Sequence, residues 1–180
     1  TSPDGLDEMR NAFREKRYDD CIALLENSHT AGTTDEGYLL RALADLSAAR
    51  RALEAAEYKT AKEYADSADY YNKQGLYYSA EIDAEMSLIL AECANVLDPS
   101  EFDENAAEYR RAVNAISFSG RFELARAENL ILTDGAEEAY DVLMRLPDGL
   151  EDKLAAKKEY LMGRVYMARR DWRGALEHLI

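Results

Sequence analysis

The sequence predicts an all-α protein of stacked antiparallel helical hairpins, and three observations carry that prediction. Ala, Leu, Glu, Arg and Lys dominate the 180 residues, with only 9 Gly and 3 Pro, a bias that favours helix throughout. Strongly β-branched stretches are two or three residues long, too short to mark a strand. A short signature also recurs near both ends. It reads Glu15-Lys16-Arg17-Tyr18-Asp19-Asp20-Cys21 at the start and Arg169-Arg170-Asp171-Trp172-Arg173-Gly174-Ala175 at the end. A polar turn, an aromatic and then a small residue form the elbow of a helical hairpin, and a repeated hairpin stacks into a solenoid.

Helices are expected near 3–16, 19–29, 34–56, 58–73, 76–97, 101–118, 121–133, 136–145, 150–169 and 172–180. Ser2 before Pro3 marks the first start, a cap residue ahead of a proline at the first helical position. Thr33 with Glu36, Asp134 with Glu137 and Asp148 with Glu151 have capping-box spacing, and Ser100 with Asp103 is a weaker form. Gly32, Gly75, Pro99, Gly120, Gly135 and Pro147-Asp148-Gly149 mark breaks. No Gly or Pro separates 34–56 from 58–73, so one long helix or two both fit. The short links make neighbouring helices antiparallel, and no Pro/Ser/Gly-rich linker divides the chain, which predicts one domain over 1–180.

The elbow recurs at Gly75-Leu76-Tyr77-Tyr78-Ser79-Ala80 and at Gly120-Arg121-Phe122-Glu123-Leu124-Ala125. The turn needs a residue tolerant of left-handed geometry, the aromatic plugs the corner, and the small residue lets the helices approach. A further elbow is marked at Thr133-Asp134-Gly135-Ala136, pairing 121–133 with 136–145.

This pattern resembles the tetratricopeptide repeat, in which two antiparallel helices carry a W-x2-L-G-x2-Y motif followed by a small residue. Tyr64, Ala68, Tyr71 and Ala80 match it, as do Gly163, Tyr166, Ala175 and Leu179. Tyr109, Ile116, Phe122 and Ala125 form another copy, and Ala12, Tyr18, Cys21 and Leu25 match from the elbow onward. The copies are spaced 59, 45 and 50 residues apart, against a family period of 34. The resemblance therefore implies a degenerate, right-handed solenoid with Thr34–Ala56 as an insertion.

That register also implies which positions line the concave face: Arg10, Phe13, Arg14, Lys62, Asn72, Lys73, Arg110, Asn114, Phe118, Lys157, Tyr160 and Arg164 among them. Seven of twenty such positions are basic and one acidic, where random sampling gives about two and four. The face thus reads as basic inside an acidic protein, which points to a peptide or helix partner carrying carboxylates. The competing reading pairs these bases with acids on neighbouring helices.

The net charge of −14 argues against nucleic acid. No apolar run approaches the ~18 residues of a membrane span, so direct insertion is not expected. Cys21 and Cys93 fit no metal or disulfide pattern and read as buried hydrophobes. Their reduced state suits the cytoplasm, and removal of a signal segment would suit an envelope protein equally.

No phosphate loop, H-E-x-x-H motif or nucleophile elbow is present. Glu26 and His29 have a di-iron ligand spacing, but the matching second pair is missing. Asp98–Glu104 lacks the glycine of a calcium loop. Neither a metal nor a cofactor is expected, and no catalytic residue is assigned.

Of the clustered tyrosines, Tyr64 and Tyr71 read as core and Tyr77 as a corner plug, with Tyr70 and Tyr78 left open. Leu176, Leu179 and Ile180 form an apolar edge, so either the array continues past residue 180 or a partner or second copy covers them. The function expected is a non-enzymatic protein-interaction scaffold. The alternative is an assembly subunit, for example of an envelope complex, acting through its edges.

Overall fold

The computed structural model describes residues 5–112 and 120–180. Every regular element among them is helical. The helices are α1 (Asp7–Arg14), α2 (Tyr18–Asn27), α3 (Asp35–Glu54), α4 (Tyr58–Asn72), α5 (Ala80–Leu97), α6 (Phe102–Asn105), α7 (Ala107–Ala112), α8 (Arg121–Leu132), α9 (Ala136–Met144), α10 (Asp152–Ala168) and α11 (Trp172–Leu179). Short 3-10 turns cover Ala31–Thr33 and Pro99–Glu101. The all-α expectation holds for the described residues. The expected helix over 101–118 is instead a 3-10 turn followed by α6 and α7, and 34–56 and 58–73 are two helices.

What divides α3 from α4 is a single residue. Ala56 has φ +58°, and Lys16, Asp134 and Arg170 adopt the same left-handed conformation at φ +60°, +64° and +59°. At each, the next residue's N–H reaches back five residues. Arg17 donates to the Ala12 carbonyl at 2.9 Å, Glu57 to Ala52 at 2.9 Å, Gly135 to Leu130 at 2.6 Å and Asp171 to Tyr166 at 2.8 Å. This wide turn satisfies the last carbonyls of the outgoing helix. Five residues past each left-handed position sits a buried small side chain: Cys21, Ala61, Ala139 or Ala175. The hairpins α1–α2, α3–α4, α8–α9 and α10–α11 thus share one elbow.

Three of these elbows coincide with motifs marked in the sequence. The one at Ala56 does not, because the sequence reading tied the turn to glycine or a polar residue. The proposed elbow at Gly75 is a correction: residues 73–79 form an open loop between α4 and α5. The Asn72 side-chain amide donates to the Ser79 carbonyl at 2.8 Å and to Asp83 at 2.7 Å. Tyr77 therefore plugs no corner and is 52% exposed. Of the proposed copy with Tyr109, Ile116, Phe122 and Ala125, Ile116 and residues 117–119 lie outside the described residues, as do Ser2 and Pro3, while Tyr109 and Ala125 are buried. The caps shift too. Thr34, not Thr33, caps α3 by accepting from the Gly37 N–H, and α10 begins beyond Glu151 with no side-chain cap.

Left-handed geometry at a residue with a Cβ costs ~1–2 kcal/mol, of which glycine's greater chain entropy would return about half. Ala56→Gly is therefore expected to raise stability by ~0.5–1 kcal/mol, with the rest of the elbow unchanged. Urea unfolding checks this, and a destabilised variant would contradict it.

Packing divides the chain into two compact units although no linker composition separates them. One comprises the described residues of Thr1–Cys93 and Asp103–Ile116, the other those of Ala94–Phe102 and Ser117–Ile180. In the first, Ala42, Ala49 and Ala52 of α3 face Ala61, Ala65 and Ala68 of α4, with Ile82, Met86 and Ile89 of α5 completing the cluster. Alanines on both sides let the two backbones close together. Ala44, on another face of α3, packs with Leu6, Met9, Cys21, Ile22 and Leu25. Helix α3 is thus packed on more than one side, which accounts for its many small buried residues. In the second unit Leu124, Val142, Leu143, Leu161 and Val165 form the core.

Candidate functional site

The first unit carries a cleft of about 290 Å³, lined by Glu26, His29, Tyr38, Arg41, Tyr70 and Tyr71 among others. Its walls follow from local sequence. The turn after α2 folds because Ser28 Oγ accepts from the Ala31 N–H at 3.1 Å and Thr33 Oγ1 donates to the His29 carbonyl at 3.0 Å. The Thr34 hydroxyl donates to the Ala31 carbonyl at 2.7 Å while accepting from the Gly37 N–H. Helix α3 then starts hard against the turn and presents Tyr38 and Arg41, three apart, on one face. Tyr70 and Tyr71 arrive on the last turn of α4.

Arg41 is the floor of the cleft and only 9% exposed. Its Nε donates to Asp45 Oδ2 at 3.0 Å and its Nη2 to Glu26 Oε1 at 2.8 Å. Its guanidinium lies over the Tyr71 ring, 4.5 Å from the centroid, a cation–π contact. Tyr71 in turn stacks on Tyr38 at 6.2 Å and meets Tyr70 edge-on at 5.0 Å. Asp45 is 1% exposed and also accepts from Ser67. Its other oxygen is buried without a hydrogen-bond partner. Burial pushes the Asp45 carboxyl above its ordinary pKa, against the pull of Ser67 and Arg41.

The thiols behave as the sequence predicts. Cys21 and Cys93 are fully buried, and burial pushes both up to about 11. Tyr64 spans two core clusters and donates to Asp19, which, together with burial, pushes its phenol up to about 12. Glu26 and His29 share the cleft, but among the described residues no three His, Cys, Asp or Glu side chains converge as metal ligands. The cleft's chemistry is that of contact: stacked rings, a fixed cation and an exposed carboxylate.

The residues expected along the concave face fall in both units. Arg10 donates to Glu36 at 2.5 Å, Lys73 pairs with Asp69 at 2.5 Å, Arg110 with Asp103 at 2.8 Å and Lys157 with Glu128 at 2.7 Å. Arg14 donates to Asn11 at 3.1 Å, and Phe13 packs on Tyr18 with ring centroids 5.6 Å apart. Lys62 is half-buried on α4. Asn72 is 2% exposed and binds the following loop, so it offers no surface to a partner. In the second unit Arg164 lies over the exposed Tyr160 ring at 5.8 Å. Asn114 and Phe118 lie outside the described residues. Leu176, Leu179 and Ile180 are exposed as expected.

Tyr38 and Arg41 fall outside the expected site residues because the repeat register makes Thr34–Ala56 an insertion. The spacing Tyr38, Arg41, Asp45 along one helical face was the available signal. No protein-family model, no curated protein and no solved structure matches this chain.

Proposed function

We propose that this chain is a non-enzymatic protein-interaction scaffold, built of tetratricopeptide-like hairpins, that docks a peptide or helical segment of a partner. The observation that carries the reading is the tyrosine-walled cleft over Arg41, with Tyr70 58% exposed at its rim. Rigid aromatic rings beside a fixed arginine are the side chains that dominate docking energetics. The shared elbow supports the scaffold half of the reading, since repeated hairpins are a common framework for such surfaces. Arg10, Lys73, Arg110 and Lys157, all basic positions expected to meet an acidic segment, already have carboxylate neighbours. An acidic ligand along that face has to displace them, whereas the tyrosine cleft is open. This favours docking at the cleft.

Selection from a displayed peptide library tests the reading. Enriched peptides are expected to lose about tenfold in affinity, ~1.4 kcal/mol, on Tyr70→Ala. Peptides that bind the wild type and the Tyr70→Ala variant equally would move the docking surface elsewhere.

A further inference from the structure

We propose that the cleft receives a cationic side chain, Arg or Lys, from a basic partner segment. The proposal rests on the docking reading above and names the chemistry of the partner at that same site.

Three observations carry it. The first is that the cleft already stabilises a guanidinium. Arg41 lies on the Tyr71 ring and is bonded to Glu26, so this surface suits a cation held between an aromatic face and a carboxylate. The second is spare capacity of the same kind. The Glu26 side chain is 56% exposed and uses one oxygen, Oε1, on Arg41. The carboxylate's remaining acceptor sites stand beside the tyrosine rings that line the cleft.

The third is the sign of the local field. The Arg41 charge is answered twice, by buried Asp45 and by Glu26. Other charged residues on the surrounding elements include Asp35 and Glu36 on α3, Asp69 and Lys73 on α4, and Arg10 on α1, and His29 lines the cleft itself. Lys73 and Arg10 are each already paired with a carboxylate, and the chain as a whole carries −14. An incoming carboxylate would meet Glu26 on the guanidinium it sought. An incoming ammonium or guanidinium meets a carboxylate and open rings. The cleft volume, near the lower bound for ligand sites, suits a single long side chain.

The test uses the full chain and an array of peptides of about twelve residues sharing one apolar frame of Leu and Trp. The variable positions are all Arg, all Lys, all Gln or all Glu. The Arg and Lys series are expected to bind at least tenfold tighter than the Gln series, with the Glu series weakest. Raising salt from about 50 to about 300 mM should narrow the gap. Glu26→Gln is expected to weaken the basic series five- to tenfold, and to weaken it more than the Gln series.

Equal or tighter binding of the Gln or Glu series overturns the proposal, as does a Glu26→Gln variant that keeps full affinity for basic peptides. If Gln-series peptides bind and Tyr70→Ala weakens them, docking at the cleft stands and the cationic partner falls. If no series binds, both readings fall.

Discussion

Arg41→Ala is expected to lower the unfolding free energy by ~3–5 kcal/mol, the largest loss of any single truncation around the cleft. The cost does not measure the strength of one ion pair. Asp45 is 1% exposed, already has one unpartnered oxygen, and would keep only Ser67 as a partner. Removing the guanidinium leaves a buried carboxylate uncompensated and strips the Tyr71 ring of its cover. Replacing Arg41 and Asp45 together by apolar residues of similar volume should recover most of the loss, because a buried pair contributes little beyond its own desolvation.

The pH dependence of the same variant follows from linkage. Burial holds the Asp45 carboxyl above its ordinary value of 3.8. The folded state therefore binds this proton more tightly than the unfolded chain. The group's contribution is fully present below the unfolded pKa and is lost as pH rises through the folded one. Arg41 pulls that folded pKa down, so its removal extends the window upward. The gap between wild type and Arg41→Ala should be wider at pH 7 than at pH 4. Urea unfolding at both values checks this, and a gap that stays constant or narrows would exclude Asp45 as the source.

Gly37→Ala is expected to cost ~2–3 kcal/mol even though alanine is the better helix former. A Cβ at Gly37 would lie 2.2 Å from the Ala31 carbonyl oxygen and 3.0 Å from Thr34 Oγ1. The first neighbour is backbone and has no rotamer to escape into. Either α3 or the Ala31–Thr33 turn must move, and movement breaks the Thr34 cap. Overpacking and cap loss together cost ~3–4 kcal/mol, and helix propensity returns about 1. Because the turn is a wall of the cleft, the variant should also bind peptides more weakly than its stability alone predicts. Unfolding within 0.5 kcal/mol of wild type would show that the turn is more pliant than its hydrogen bonds imply.

The helical class was legible because it depends on composition and on short-range punctuation. The elbows at Lys16, Asp134 and Arg170 were legible because polar turn residues advertise left-handed geometry. Ala56 adopts the same conformation without the advertisement. Missing it shifted the register across α3 and α4 and promoted the Gly75 loop to a corner. The site suffered most from this. Tyr71 packs against the core cluster as the sequence predicts, and only the fold shows that its ring also walls a cleft with Tyr38 and Arg41. Asn72 looked like a surface position by register, yet its amide is consumed by a loop that the sequence did not separate from a helix. Charge pairing such as Arg10 with Glu36 joins residues 26 apart and is invisible to any helical period.

The shared elbow has a kinetic consequence. Each one joins helices adjacent in the chain, so a hairpin closes a short loop and makes its decisive contacts before distant residues need to meet. Native contacts of low sequence separation speed folding. The left-handed residue commits the chain to reversal with backbone bonds alone. Each helix pair can therefore form early, before the rest of its unit packs around it.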